Sequence, residues 1–242
     1  MDQTLAIIAI IIAGPLIGSL LGIIKKPSLG FMYNMLAYAA GVMLAISFLN
    51  LIPESIRLSS IIISVMGIIF GSLAMFLADK IIPHIHPGLC THEQGNPLQK
   101  TAYYLLIGIF LHNFPEGIAI AAGTISGTKL SFMIAIAIAI HDIPEGICTS
   151  APYYYISKKR LKSFLVSLAT TIPTIIGFVL GYFFFPKISL VFVGFLTAAT
   201  AGLMIYISSD ELIPSSCWKL TNHSTIFSLI LGVLSVILLG LL

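Results

Sequence analysis

Eight long apolar runs, at about 3–24, 30–52, 60–83, 101–124, 129–151, 161–185, 188–214 and 224–242, take up nearly all of the 242 residues. A helix rises 1.5 Å per residue, so roughly 20 apolar residues cross the ~30 Å hydrocarbon core of a bilayer. The connections are short except for 84–100, which leaves no room for a separate soluble domain. The expected fold is an all-α integral membrane protein: one domain, residues 1–242, of eight transmembrane helices. Composition agrees. With 58% hydrophobic and 9% charged residues and a mean hydropathy of +1.06, the chain cannot cover a surface for water, since soluble domains carry roughly a quarter charged residues. The net charge of +3 therefore speaks of topology and not of nucleic acid as a partner. The three cysteines, Cys90, Cys148 and Cys217, include no CxxC and suggest no disulfide framework.

The first run has no basic residue before it and Lys25 and Lys26 after it, the reverse of a signal peptide. Placing the N-terminus outside puts Lys25, Lys26, Lys80, Lys100, Lys158, Lys159, Arg160, Lys162 and Lys219 in the cytosol. Only Arg57, Lys129 and Lys187 are then left outside. That bias predicts a plasma (inner) membrane protein with both termini outside.

Two sequence repeats lie within the runs. His112-Asn113-Phe114-Pro115-Glu116-Gly117 in the fourth returns as His141-Asp142-Ile143-Pro144-Glu145-Gly146 in the fifth. Ala40–Ser55 in the second matches Ala201–Ser216 in the seventh without a gap, sharing Leu-Ile-Pro and pairing Asn50 with Glu211. In both cases the partner spans should run antiparallel. The two motif histidines would each lie roughly 16–18 Å from opposite faces, meeting near the midplane. A 3+2+3 layout with inverted repeats follows, as in secondary transporters whose sites lie at the midplane on helices interrupted by proline or glycine.

On a helix, residues i and i+4 share a face, so His112 goes with Glu116 and His141 with Glu145. Two imidazoles and two carboxylates converging in a membrane form a nitrogen/oxygen set suited to Zn²⁺ first, then Fe²⁺, Mn²⁺ or Cd²⁺. Pro115 and Pro144 each remove a backbone N–H, which is tolerated where a helix lines a polar cavity. Asn113 and Asp142, about 100° round their helices, are candidates for a second site sharing Glu116 and Glu145. One motif alone reads as a helix–helix hydrogen-bond pair. Three intramembrane carboxylates, each costing about 2.5–3.5 kcal/mol, argue for a functional site. The segment Pro83–Glu93 gathers His84, His86, Cys90, His92 and Glu93, either a weak mobile chelator or an ordinary solvated loop. Glu54, Asp210 and Glu211 near the span ends are auxiliary entrance or exit ligands or interfacial helix caps.

These motifs, with Leu51-Ile52-Pro53-Glu54, Pro83-His84-Ile85-His86 and Glu211-Leu212-Ile213-Pro214 in order, make the whole chain resemble the ZIP family of divalent-metal transporters, closest to its GufA-like branch. The resemblance implies eight spans, outward-facing termini and a histidine-bearing cytosolic loop. It also implies that metal moves into the cytosol and would be bound by His112, Glu116, His141 and Glu145, with Asn113, Asp142 and the shared glutamates at a neighbouring second site. Many members carry a glutamate directly before a proline in the sixth span, where this chain has Ile172 before Pro173 with Thr170, Thr171 and Thr174 nearby, so the second site is one carboxylate poorer. The rival class is an intramembrane metal-dependent hydrolase using the same ligands. It needs an open coordination position and a free base, and no HExxH or GxSxG supports it. The sequence points to a transporter and not an enzyme. It leaves open carrier against channel and the oligomeric state, a homodimer included.

Overall fold

The computed structural model describes residues 3–24, 28–81, 113–125, 127–217 and 223–240, and the regular elements among them are all helical. They are α1 (Gln3–Ile24), α2 (Leu29–Ile46), a π-helical turn (Ser47–Leu51), α3 (Ile52–Leu58), α4 (Ile61–Ile81) and α5 (113–125). There follow α6 (Thr128–Ser157), α7 (Arg160–Leu168), α8 (Thr171–Phe184), α9 (Leu190–Ile207), a second π turn (Ser208–Leu212), α10 (Ile213–Cys217) and α11 (Ser224–Leu239). Among the described residues, six helical stretches are long and apolar enough to cross a membrane: Gln3–Ile24, Tyr33–Leu58, Ile61–Ala78, Lys129–Ala151, Arg160–Lys187 and Leu190–Leu212. Ser224–Leu239 is a shorter seventh apolar helix. Of the expected fourth run, 101–112 lies outside the described residues. Side chains such as Ile62, Ile69, Phe227 and Leu231 stand exposed, as lipid-facing residues must.

Prolines set the departures from the expected boundaries. The runs ending near Pro53 and Pro214 continue through them, because each helix widens by one residue just before its proline. Ile52 N–H reaches back to Ser47 O, and Ile213 N–H to Ser208 O, in place of the usual fourth-residue partner. In both turns the serine hydroxyl donates to a carbonyl four residues back, Ser47 to Met43 O at 2.8 Å and Ser208 to Met204 O at 2.7 Å. The run 161–185 instead breaks into α7 and α8. Thr170 N–H bonds Ser167 O and Ile172 N–H bonds Ala169 O, tight three-residue turns that let α8 restart with Pro173 in its first turn, where no N–H is required.

Helices here cannot use the hydrophobic effect against one another, since lipid is as apolar as they are. Close approach through small residues replaces it. Thus α1 lies along α6, α4 along α9 and α11 along α2. A Cβ at Gly18 of α1 would strike Ile143 O, and one at Gly22 would strike Ser150 Oγ. Gly177 and Gly181 of α8 face Phe114 O and the Ala121 Cβ of α5 in the same way. The offset that takes His112 to His141 carries Phe114 to Ile143 and Ala121 to Ser150, so both crossings are one contact made twice. The second repeat behaves alike: Gly41 faces Leu229 O while Gly202 faces Ile68 O, and Gly232 faces Tyr38 O while Gly71 faces Ala199 O. The offset from Ala40 to Ala201 interconverts each pair. Ser167, bonded to Ser19 at 2.8 Å and to Thr149, ties α7 to α1 and to α6 one turn beyond Glu145.

Candidate metal site

The two proline-containing motifs are brought together by the α5–α6 hairpin. Its turn needs Gly127, whose φ of 133° is closed to side-chain-bearing residues. Ser131 Oγ donates to Ile120 O at 3.0 Å, and Gly123 leaves room for the Ser131 backbone, so the helices start their course in contact. On the other side α5 rests on α8 through Gly117 and Gly177. These contacts bring Asn113 and Glu116 of α5 to the same depth as His141, Asp142 and Glu145 of α6.

His141 is the centre of the cluster. Its Nε2 lies 2.9 Å from Glu116 Oε1, 3.4 Å from Asp142 Oδ1 and 3.8 Å from Glu145 Oε1. Ligand atoms of Glu116, His141 and Asp142 all fall within 4.8 Å of one another. Glu116 and His141 have no exposed surface and Asp142 and Glu145 almost none. On its other side His141 Nδ1 lies 3.4 Å from Ala137 O, a carbonyl that can hold the Nδ1 proton and leave the Nε2 lone pair for a ligand. Asn113 Nδ2 donates to Thr170 O at 2.7 Å. Four polar atoms, Asn113 Oδ1, Glu116 Oε2, Thr171 Oγ1 and Thr174 Oγ1, are buried without a hydrogen-bond partner among the described residues. Buried polar groups left so are costly, and a cation or its water would satisfy the oxygens. One imidazole nitrogen with carboxylate and amide oxygens fits a borderline divalent ion.

Not every expected residue enters this cluster. His112, His84, His86 and His92, with the loop 84–100, lie outside the described residues. Asp142 was expected on a separate face, yet its carboxylate turns into the same group as His141. Ile172 is half exposed, in line with exposed Leu165, Ile176 and Leu180, so it points off the bundle while Thr171 and Thr174 point in. Glu54 is buried, and both its oxygens accept from Arg57, at 2.9 Å from Nε and 2.7 Å from Nη2. Asp210 and Glu211 lie within the second π turn, and Asp210 Oδ2 has no hydrogen-bond partner among the described residues. Sequence reasoning missed the Thr170 carbonyl as the anchor of Asn113. It also missed both π turns, for which the paired Leu-Ile-Pro elements were the available signal.

Residues 89–240 match the family described as ZIP Zinc transporter. The chain is 37% identical over 211 residues to a protein of Enterobacter sp. (strain 638) named zinc transporter ZupT, covering 84% of this chain and 82% of that one. It is also 37% identical over 210 residues, with the same coverage, to proteins of that name from Escherichia coli O1:K1 / APEC and from Escherichia coli strain K12 / DH10B.

Proposed function

The chain belongs to the ZIP zinc transporter family, and on that premise we propose that it carries Zn²⁺ across the bacterial inner membrane into the cytosol, through a midplane site on α5 and α6. The observation that carries this reading is the buried contact of His141 with Glu116, Asp142 and Glu145, drawn from two helices and sealed from solvent. Without a cation that group places three carboxylates around one imidazole in a low-dielectric interior. A divalent ion balances them. Zinc seated between His141 and Glu116 displaces the proton those two groups share, so binding releases protons, as it must wherever ligands are protonated before the metal arrives. His112 completes the set as the counterpart of His141. Asn113, bonded to the Thr170 carbonyl, marks the neighbouring second position. Fe²⁺, Mn²⁺ and Cd²⁺ are the further substrates the donor set admits.

The same reading makes the chain one domain of eight spans in a 3+2+3 inverted arrangement with both termini outside. The twice-made glycine crossings and the matched π turns support it. Glu54 serves the outer approach, Asp210 and Glu211 the cytosolic exit, and His84, His86 and His92 a cytosolic chelating loop. The protein is a transporter and not a hydrolase, as its family indicates. Purified protein in liposomes loaded with a metal-sensitive dye tests the assignment. Zn²⁺ entry by wild type, with loss in both Glu116→Ala and Glu145→Ala at normal thermal stability, is the expected result. Undiminished flux in either folded variant overturns it.

A further inference from the structure

From 146 to 209 the sequence contains no acidic residue, yet Lys158, Lys159, Arg160 and Lys162 crowd into the link from α6 to α7. Lys158 ends α6 in the left-handed conformation, φ 55°, and α7 opens two residues later with Arg160 and Lys162 in its first turn. Cations in a first turn oppose the helix dipole, an arrangement that an anion placed there would reverse. Around them lies a shallow, open groove of about 490 Å³ lined by Lys159, Arg160, Leu161, Lys162, Leu165 and Val166. Its floor is apolar: Leu161 is 69% and Leu165 52% exposed, and the same stripe continues along α8 as Ile172 and Ile176. Two rim cations are held in place by aromatic rings. Arg160 Nε donates to the Tyr154 hydroxyl at 3.1 Å, and Lys162 Nζ stands 6.0 Å from the Tyr153 ring.

A positive rim on an apolar floor that runs into the lipid-facing surface matches one kind of molecule. We propose that this groove binds the headgroup of one anionic phospholipid, its phosphodiester among Lys159, Arg160 and Lys162 and an acyl chain over Leu161 and Leu165. A topological bias in basic residues accounts for which side they occupy, but not for the exposed apolar floor of Leu161 and Leu165 between them. The lipid would brace the end of α6, the helix that bears His141, Asp142 and Glu145, through the Thr149–Ser167–Ser19 hydroxyl contacts that join α6, α7 and α1.

Delipidated full-length protein in neutral detergent, titrated with phosphatidylglycerol or phosphatidylcholine and read by native mass spectrometry, tests this without metal. Wild type should retain one phosphatidylglycerol at least tenfold more tightly than phosphatidylcholine. Two variants should lose the preference: the triple Lys159→Gln, Arg160→Gln, Lys162→Gln, and Leu165→Trp, which keeps every charge and fills the floor. Should the triple variant fail to fold, Leu165→Trp decides the matter. Equal retention of the two lipids by wild type overturns the proposal, as does a preference that persists in a folded variant. Displacement of the lipid by millimolar inorganic phosphate, or equally tight binding of soluble polyglutamate, would show a general anion or acidic-protein patch and overturn it too. Zn²⁺ binding to the same wild-type sample, measured in parallel, separates failure of this proposal from failure of the transport reading.

Discussion

Replacing Glu116 with glutamine keeps the side chain's shape and an oxygen but removes one charge from the cluster. The contact it perturbs is the 2.9 Å separation from His141 Nε2. At that distance and an effective dielectric of about 20, a unit charge pair is worth about 6 kcal/mol, the attraction forfeited per unit of positive charge held there. Against this stands the charge-assisted hydrogen bond between Glu116 and His141 that zinc breaks on entering, about 1.5–3 kcal/mol, which the variant no longer has to give up. The difference, about 3–4.5 kcal/mol, corresponds to a 10²- to 10³-fold loss of zinc affinity. Competition against a fluorescent chelator in detergent, alongside a thermal unfolding profile to establish that the variant is folded, measures it. An affinity within tenfold of wild type in folded Glu116→Gln would refute the placement of zinc between these two side chains.

Three further outcomes follow from the same geometry. Because Ile172 lies on the exposed stripe, Ile172→Glu should fail to raise metal occupancy near Asn113. It should also cost about 2.5–3.5 kcal/mol of stability in lipid, seen as a lowered unfolding midpoint; a second bound Cd²⁺ in that variant would place residue 172 in the cavity after all. Arg57→Ala frees both oxygens of Glu54 and should raise uptake at low external zinc, an effect that the Arg57→Ala, Glu54→Ala double variant abolishes; no change in the single variant removes Glu54 from the path. Cysteines introduced beside Lys129 should react with impermeant maleimide on intact cells, and those beside Lys159 only after lysis; the opposite labelling inverts the topology.

What the sequence made legible was whatever depends on local spacing. Apolar length marked out the helices that the structure describes, and i, i+4 spacing put His141 and Glu145 on one face, 3.8 Å apart. What it could not convey were adjustments made by the three-dimensional crossing. Angular position alone sends Asp142 away from His141, but an aspartate is short and its buried carboxylate turns toward the nearest imidazole, 3.4 Å off. The role of the Thr170 carbonyl depends on how α8 lands on α5 at Gly117 and Gly177, a tertiary fact. A proline lacks the N–H that a continuing helix uses, and the sequence does not say how the helix makes up for it. At Pro53 and Pro214 a single extra residue in the turn absorbed that defect, while at Pro173 a break did. Nothing in the residue type itself chooses between those solutions.

The repeats agree in backbone and disagree in their acidic residues. Each pair matches in its glycine crossings, and the second repeat matches also in its π turns, so the scaffold offers comparable routes to both faces. The second copy carries the acid at three positions, Asp142 where the first copy has Asn113 and Asp210 and Glu211 where it has Leu49 and Asn50, while the first copy carries Glu54 where the second has Ser215. Glu54, the one carboxylate near the first π turn, is neutralised by bidentate contact with Arg57. On the topology proposed above, the outer turn therefore carries one carboxylate, held by Arg57, and the inner turn carries two, Asp210 and Glu211. Carboxylates in a poorly screened interior attract a cation more strongly than amide or apolar groups in the same positions do. A symmetric backbone with unlike carboxylate sets thus gives the ion different ligands on its two sides, while the overall gradient fixes net transport.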